Sequence, residues 1–519
     1  MKRLTATRLL ALISLVLLPR AAAEANWTAT GRYTYIDREY DQTGFTGVET
    51  EVPVRFADVH ILDNKNRILA SGTTDANGNY SILVVDSSTR TIYSRVTSRS
   101  LNTPTLFIEV RNGTGNNFSY YAVRSVNISN HNPNTSVNFG TLTALKGQGG
   151  EAFNIFDQMV YGVDYIASLR GSRPGSADSL IAVWAVNRGI TDSTYSRPTR
   201  TLSYRDTAGY DDTPILHEMG HYFVTEFSGT DNPAGAHTFT DCNVDLKLAW
   251  EEGFASYWGN SVLRYFGKPR CNIYMRSNGA PGPGGLVRYA DLETDTQYLC
   301  QGYGSEVSVF EMLWDINDSA ATTDTTPGVE DAADAISAPD SETWQVMRDY
   351  IPTAVSKTME DFWDGWLKAP ISNGFLTEMR SIAAVVGINL TEDSLEVNDS
   401  AATATPLTVG GGFVPATFFS DPDGDGAGQT DTDYYVFTAT SGQPYRAETA
   451  NLVSDGNTFL ELLDSNGSTV LASNNDRVAG DQTSLILWTA PRSDVFYLRV
   501  THAADVGVYG GYSVGISLN

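Results

Sequence analysis

The chain has 519 residues, too many for one ordinary hydrophobic core, so two to four domains are expected. Its apolar fraction of 41% is that of a globular protein, and its formal net charge is −26. An acidic surface repels phosphate backbones, which argues against nucleic acid as a partner, while it favours solubility and cation binding.

The chain opens with Lys2, Arg3 and Arg8 around the start of an apolar run from Leu9 to Leu18. Ala21-Ala22-Ala23-Glu24-Ala25 then offers small-residue cleavage positions. This is the pattern of an export signal over residues 1–25, and it predicts a secreted protein, extracellular or periplasmic in transit. The run is too short to span a bilayer, and no other segment approaches the roughly 20 apolar residues a spanning helix needs. No transmembrane segment is therefore expected. Three cysteines, Cys242, Cys271 and Cys300, allow one disulfide in an oxidising compartment, and their spacing does not say which pair forms it.

Residues 26–147 read as an all-β sandwich. Val59 and Ile61, and then Tyr80, Ile82 and Val84, alternate with polar neighbours as half-buried strands do. A turn cluster, Thr74 to Asn79 with Asn77-Gly78 at its centre, lies between them, and Leu106–Val110 is a further strand. The stretch from Ala57 to Val84 resembles the carboxypeptidase-regulatory-like, transthyretin-like sandwich that accompanies many secreted enzymes.

Near residue 150 the period changes. Ala152, Ile155, Phe156, Met159, Val163 and Ile166 fall at helical spacing. Leu180–Val186 is a buried strand, Thr201–Tyr204 a second one, and a helix is expected from about Pro214 with Thr213 as its cap. Residues 245 to 385 read as mostly helical. The expected fold class is multidomain: an all-β sandwich, an α+β catalytic domain over 148–391, and a second all-β sandwich over 392–519.

The helix from Pro214 carries His217-Glu218-Met219-Gly220-His221. Positions i and i+4 share one helix face with Cβ atoms about 5–6 Å apart, so His217 and His221 can point at one ion. A borderline cation such as Zn2+ suits two imidazoles, and Glu218 sits beside them as a candidate general base. A third ligand is then needed. Val224 and Phe227 occupy the positions where a metzincin carries glycine and its third histidine. His237, Asp231 and Asp241 remain possible ligands from the residues alone.

The segment Ala249-Trp250-Glu251-Glu252-Gly253-Phe254-Ala255 resembles the glutamate motif of the gluzincins, the zincin group of thermolysin and the alanyl aminopeptidases. That resemblance implies Glu252 as the third ligand, with Glu251 as runner-up. The sequence departs from thermolysin-like enzymes at Ser256, where they carry an aspartate, so support for the ligands from behind must be arranged differently. It also lacks the Gly-x-Met-Glu-Asn element that holds a free amino terminus, which favours endopeptidase over exopeptidase action. The implied chemistry is attack of zinc-activated water on a peptide carbonyl, with Glu218 taking and returning the proton. Tyr303, in the segment Tyr303–Leu313, falls on the tyrosine that stabilises the oxyanion in alanyl aminopeptidases.

From about Leu395 strand alternation returns, at Tyr435 and Phe437, Leu460 and Leu462, Leu485 and Leu487, Phe496 and Leu498, and Val514 and Ile516. Glu396–Ser400, Asp431–Phe437 and the glycine-rich end resemble the bacterial pre-peptidase C-terminal domain. Asp421, Asp423, Asp425 and Asp433 are oxygen-rich and loop-borne, as a Ca2+ site requires, with Glu396 and Asn398 able to join. The expected partner is a protein or peptide substrate. Two other readings stand beside it: a surface or glycan-binding protein on an inactive zincin domain, and a glycoprotein-directed peptidase whose sandwiches contact matrix or cell-surface glycan.

Overall fold

The computed structural model describes residues 25–230, 232–293, 301–317, 336–351, 357–368, 375–388, 391–420, 429–453, 456–503 and 510–519. Strands predominate among them and helices are a minority. Residues 1–24 of the expected export signal lie outside the described residues. No helix among those described is long and apolar enough to cross a membrane.

Two sheets form the N-terminal sandwich. The long strand Asn26–Asp41 pairs with Val137–Ala144 on one side, and with Gly44–Pro53 and Asn79–Val85 on the other. Facing it, Arg90–Thr97 and Asp58–Asp63 lead the second sheet. The Asn-Gly turn does not close a hairpin. Ile68–Thr73 before it pairs with Asp58–Asp63, whereas Asn79–Val85 after it joins Asn26–Asp41. The turn carries the chain from one sheet to the other, and Gly78 adopts φ 77°, a left-handed conformation that favours glycine.

The strand expected at Leu106–Val110 forms, over Ile108–Arg111, but not in the sandwich. It runs parallel to Leu180–Val183, which is parallel in turn to Thr201–Ser203. A parallel pair needs a crossover, and helix α1, Gly150–Arg170, supplies part of it and packs on the strand. In the other direction, a hairpin of Ile273–Ser277 and Gly284–Asp291 extends the sandwich sheet through Gly44–Pro53. That hairpin falls in the stretch expected to be mostly helical. One buried core therefore runs from Trp27 and Tyr33 through Phe156 to Trp258 and Trp314.

Helix α2 spans Asp212–Phe223 and α3 spans Leu246–Tyr265. Thr213 is not the cap of α2. The helix starts at Asp212, two residues before Pro214, and the Thr213 hydroxyl instead accepts a hydrogen bond from Met275 N at 2.9 Å. Pro214 then sits in the first turn, where a missing N–H costs nothing. The Asp245 carboxylate does cap α3, accepting from the backbone N–H of Lys247 and Leu248. Cys242 is disulfide-bonded and Cys271 is buried; Cys300 lies outside the described residues.

The C-terminal unit has its own core, built by Tyr435, Phe437, Leu460, Leu462, Phe496, Leu498, Val514 and Ile516 among others. One register differs from expectation. Ile486 points inward and Leu487 is 58% exposed, so the apolar run at 485–487 concealed which face was buried. Phe419 leaves this unit's core and is buried in the first one, a contact worth about 1.5–3 kcal/mol.

The entry to α2 is tethered by an ion pair between Arg205 and Asp211, 5% and 0% exposed. The Ser277 hydroxyl donates to Asp211 at 2.6 Å, and Arg205 donates to the Ser277 carbonyl at 2.6 Å. Burial pushes the Asp211 carboxyl up to about 6 against the pull of Arg205, and burial also lowers the guanidinium. Both ions lose hydration, but either one alone would lose more. Asp211→Asn is expected to cost about 3–5 kcal/mol in chemical denaturation, because it leaves a buried guanidinium unpaired. A loss below about 1 kcal/mol, the scale of an ordinary substitution, would show that the pair does not tether the helix.

Candidate metal centre

Every residue of α2 is buried, and α3 is buried over most of its surface. Such helices approach closely only where side chains are small. A Cβ on Gly220 would lie 2.7 Å from the Ala255 Cα, and one on Gly259 would lie 3.0 Å from the His217 N. A Cβ on Gly253 would lie 2.4 Å from the Val309 Cβ of helix α4, Glu306–Asn317. The glycine inside the histidine motif and the one after Glu252 thus set the spacing of three helices.

That spacing brings His217, His221 and Glu252 together. Their Nε2 atoms are 3.2 Å apart, and Glu252 Oε2 lies 3.2 Å from the first and 3.3 Å from the second. Two donors at about 2.0–2.1 Å from a tetrahedral zinc stand about 3.3 Å from each other. The triangle has that size on all three edges. Both imidazoles are held from behind. His217 Nδ1 faces the Ser256 hydroxyl at 3.0 Å, and His221 Nδ1 faces Glu251 at 3.2 Å. With those contacts made by Nδ1–H, both Nε2 lone pairs turn inward. Two lone pairs and a carboxylate oxygen then converge, an arrangement that a cation satisfies.

Ser256 accordingly orients His217 from the position where the expected aspartate is missing. Glu251, the alternative ligand, stands behind His221 and accepts a hydrogen bond from the Thr230 hydroxyl. His237 is close but separate. Its Nε2 lies 3.2 Å from Glu252 and 3.9 Å from Glu306, and it groups with these two carboxylates rather than with the other histidines. Contact with Glu252 raises its pKa. Asp241 accepts from the Thr238 hydroxyl at 3.0 Å, and Asp231 lies outside the described residues.

Glu218 is 6% exposed, and burial pushes its carboxyl up to about 8. It lines two cavities, of about 460 Å³ on the His221 side and about 250 Å³ on the His217 side. Tyr303 is not there. It precedes α4 and is buried; burial, then Glu360 and Asp364, raise its pKa well above the usual tyrosine value. It lines a crevice of about 790 Å³ shared with Leu452 and Gln482 of the C-terminal unit. The first residue of the helix, Glu306, instead approaches His237, at 3.9 Å. Missing from the sequence reading was the hairpin 273–291, which adds Tyr274, Arg276 and Arg288 to the His217-side cavity. The signal was present in two short apolar-polar runs around a Gly-Pro-Gly loop.

A second cluster lies in the C-terminal unit. Asp421, Asp423 and Asp425 fall outside the described residues. Asp433 instead groups with Asp393 and Glu396, and Glu396 groups also with Asp399 and Asp431, ligand atoms lying within 4.8 Å of one another. Asn398 is fully buried beside them with both amide atoms unpartnered. Burial first, and the neighbouring carboxylates after it, push Asp431 up to about 9 and Asp433 up to about 8.

Residues 431–502 match the family of bacterial pre-peptidase C-terminal domains. Within the C-terminal unit, these residues form such a domain. The chain is also 35% identical over 74 residues to an uncharacterized protein of Archaeoglobus fulgidus. That alignment covers 14% of this chain and 20% of the relative, so the chain spans about a fifth of the length of that relative. Among solved structures it is similar to the pre-peptidase C-terminal domain of a Bacillus anthracis collagenase, at 16% identity and a TM-score of 0.17. This covers 22% of the chain and 93% of that domain. It is similar as well to Aeromonas hydrophila PliG, a periplasmic inhibitor of g-type lysozyme, at 14% identity and a TM-score of 0.15, over 22% of this chain and 95% of that one.

The ligand assignment is checked by metal content after dialysis. Glu252→Ala is expected to release zinc. Glu251→Ala should retain it with affinity lowered about 10- to 100-fold, the usual effect of losing a group that orients a ligand. The opposite ranking would transfer the ligand role to Glu251.

Proposed function

We propose that this chain is an exported zinc-dependent peptidase, most simply an endopeptidase. The observation that carries the reading is the triangle of His217, His221 and Glu252 at tetrahedral ligand spacing, with the buried Glu218 carboxylate beside it. The donor set of two imidazoles and one carboxylate suits zinc, and three protein ligands leave a coordination position for chemistry. A zinc ion held there supplies Lewis acidity, lowering the pKa of water to about 7 and polarising the scissile carbonyl.

The remaining steps belong to this chain's own groups. Glu218 accepts the proton of the attacking water and returns it to the leaving amine. Its burial matters, because a carboxylate screened from bulk water is a stronger proton acceptor. Tyr274 and His237, which line the cavity with Glu218, are the donors available to the developing oxyanion in place of Tyr303. Cavities open on both sides of Glu218, so an extended chain can run through the site, as endopeptidase action requires. The pre-peptidase C-terminal domain supports the reading of a secreted protease. An inactive surface-binding protein would have no need of an intact base, ligand triangle and oriented imidazoles together.

The C-terminal carboxylate cluster is proposed to hold Ca2+. All its ligands are oxygens, which suits a hard cation. Buried carboxylates this close repel each other, and a buried amide with no partner among them is accounted for by an ion.

Two outcomes are expected. Glu218→Gln should keep zinc at the wild-type level while cleavage of an unfolded protein substrate falls by about 10²–10⁴-fold. Near wild-type cleavage would remove Glu218 from the mechanism. For the second cation, full-length protein should melt at a higher temperature in calcium than in a calcium chelator, and Asp433→Asn should abolish that difference. A midpoint indifferent to calcium in the wild type would refute the site.

A further inference from the structure

The His217-side cavity has an electrostatic feature that peptide-bond hydrolysis alone does not explain. Arg276 and Arg288 stand directly opposite each other in the antiparallel hairpin. Residues so paired share a face of the sheet, and like charges there repel. Both line the cavity of about 250 Å³ that also holds Glu218 and His217.

Their partners do not neutralise them. Arg276 meets Asp192 at 3.1 Å and donates to the Thr191 carbonyl at 3.1 Å, but the Asp192 side chain is 72% exposed, so solvent screens that pair. The Nε of Arg276 is buried and has no partner. Arg288 lies over the Phe239 ring, 5.0 Å from its centroid, and among the described residues no carboxylate lies within ion-pair distance of it. Arg205, the third guanidinium of this cavity, is committed to Asp211. Glu306, a further acid of the wall beside Asp192 and Glu218, lies 3.9 Å from His237 and feels Arg288 only through space, without an ion-pair contact. In a chain of net charge −26, two guanidiniums, one with a solvent-screened partner and one without an ion pair among the described residues, concentrate positive charge beside Glu218.

We propose that Arg276 and Arg288 form a carboxylate-binding subsite beside the scissile bond. The proposal rests on the peptidase reading above and names its substrate class: peptides with a carboxylate one or a few residues from the cleaved bond. A guanidinium offers a planar fork of donors that matches a carboxylate, and the pair provides two. The carboxylate comes either from an acidic side chain or from a free C-terminus.

The test compares peptides that differ only by Glu or Gln at each position flanking the cleaved bond, each with a free or an amidated C-terminus. Wild-type enzyme is expected to prefer Glu at one position on one side, or the free terminus, by about 10- to 100-fold in kcat/KM, the range for a hydrogen bond to a charged group. A Glu preference marks a side-chain subsite, and a preference abolished by amidation marks a terminal one. Arg288→Gln should bring the ratio toward one, and Arg288→Lys should keep part of it, charge without the fork. Zinc content and melting temperature report whether each variant is folded.

Cleavage with ratios near one at every position and both termini would overturn the subsite and leave the peptidase reading standing. So would a preference that Arg288→Gln does not change. If wild type cleaves no peptide, the peptidase reading fails, and the subsite is judged by binding alone. Zinc-loaded Glu218→Gln protein is then titrated calorimetrically with the Glu and Gln peptides. Tighter binding of the Glu peptide or the free terminus, lost on adding Arg288→Gln, supports the subsite, and equal binding overturns it.

Discussion

The close approach of α2 to α3 is the constraint on which the candidate metal centre depends. His217 and His221 reach one side of a cation simply by sharing a helix face, but the third ligand must come from another helix. Gly220 permits that, since any Cβ there would meet the backbone of Ala255. Gly259 lets α3 pass the His217 backbone in the same way, and Gly253 seats α4. Packing of this density transmits strain, so the ligand triangle is a property of three helix axes together.

Electrostatics then assigns roles within the cluster. Four acids and three histidines crowd one buried region, and small differences in placement separate them. Glu252 faces three imidazoles and is held well below the usual carboxylate range despite burial. Glu218, one residue from His217, is raised by the same burial, which outweighs the pull of His221 and His237. Glu251 spends its oxygens on His221 and Thr230. The C-terminal cluster contrasts with this one: its side chains offer only oxygens, the donors a hard cation prefers, with no imidazole among them, whereas the helices offer imidazole nitrogens beside a carboxylate.

The sandwich and the helical unit are joined by exchange of elements. Strand Ile108–Arg111 leaves the N-terminal stretch to support the parallel sheet, and hairpin 273–291 returns to extend the sandwich sheet. The hairpin also carries Tyr274, Arg276 and Arg288, so the sandwich sheet braces one wall of the His217-side cavity. The C-terminal domain is more independent. It has its own core and meets the rest through Phe419 and the crevice beside Tyr303.

The sequence by itself determined the chemistry that is local along the chain. The His217–His221 spacing, the adjacent Glu218, and strand alternation at Tyr435 or Phe496 all follow from short-range periodicity, and the resemblance around Glu252 named the carboxylate that the structure places at the triangle. Neighbouring acids such as Glu251 and Glu252 differ by a rotation about the helix axis, and the choice between their roles needed the position of α2. Tertiary structure alone decided what depends on residues far apart. Tyr303 reads like a donor by its neighbours, yet it is buried beside the crevice shared with the C-terminal unit, whereas Tyr274 and His237 line the cavity with Glu218. Ile486 and Leu487 are equally apolar, and only pairing with Pro444–Val453 shows which faces the core. Arg276 and Arg288 are ordinary surface-like residues twelve positions apart along the chain, and only the hairpin register sets their charges opposite each other beside Glu218.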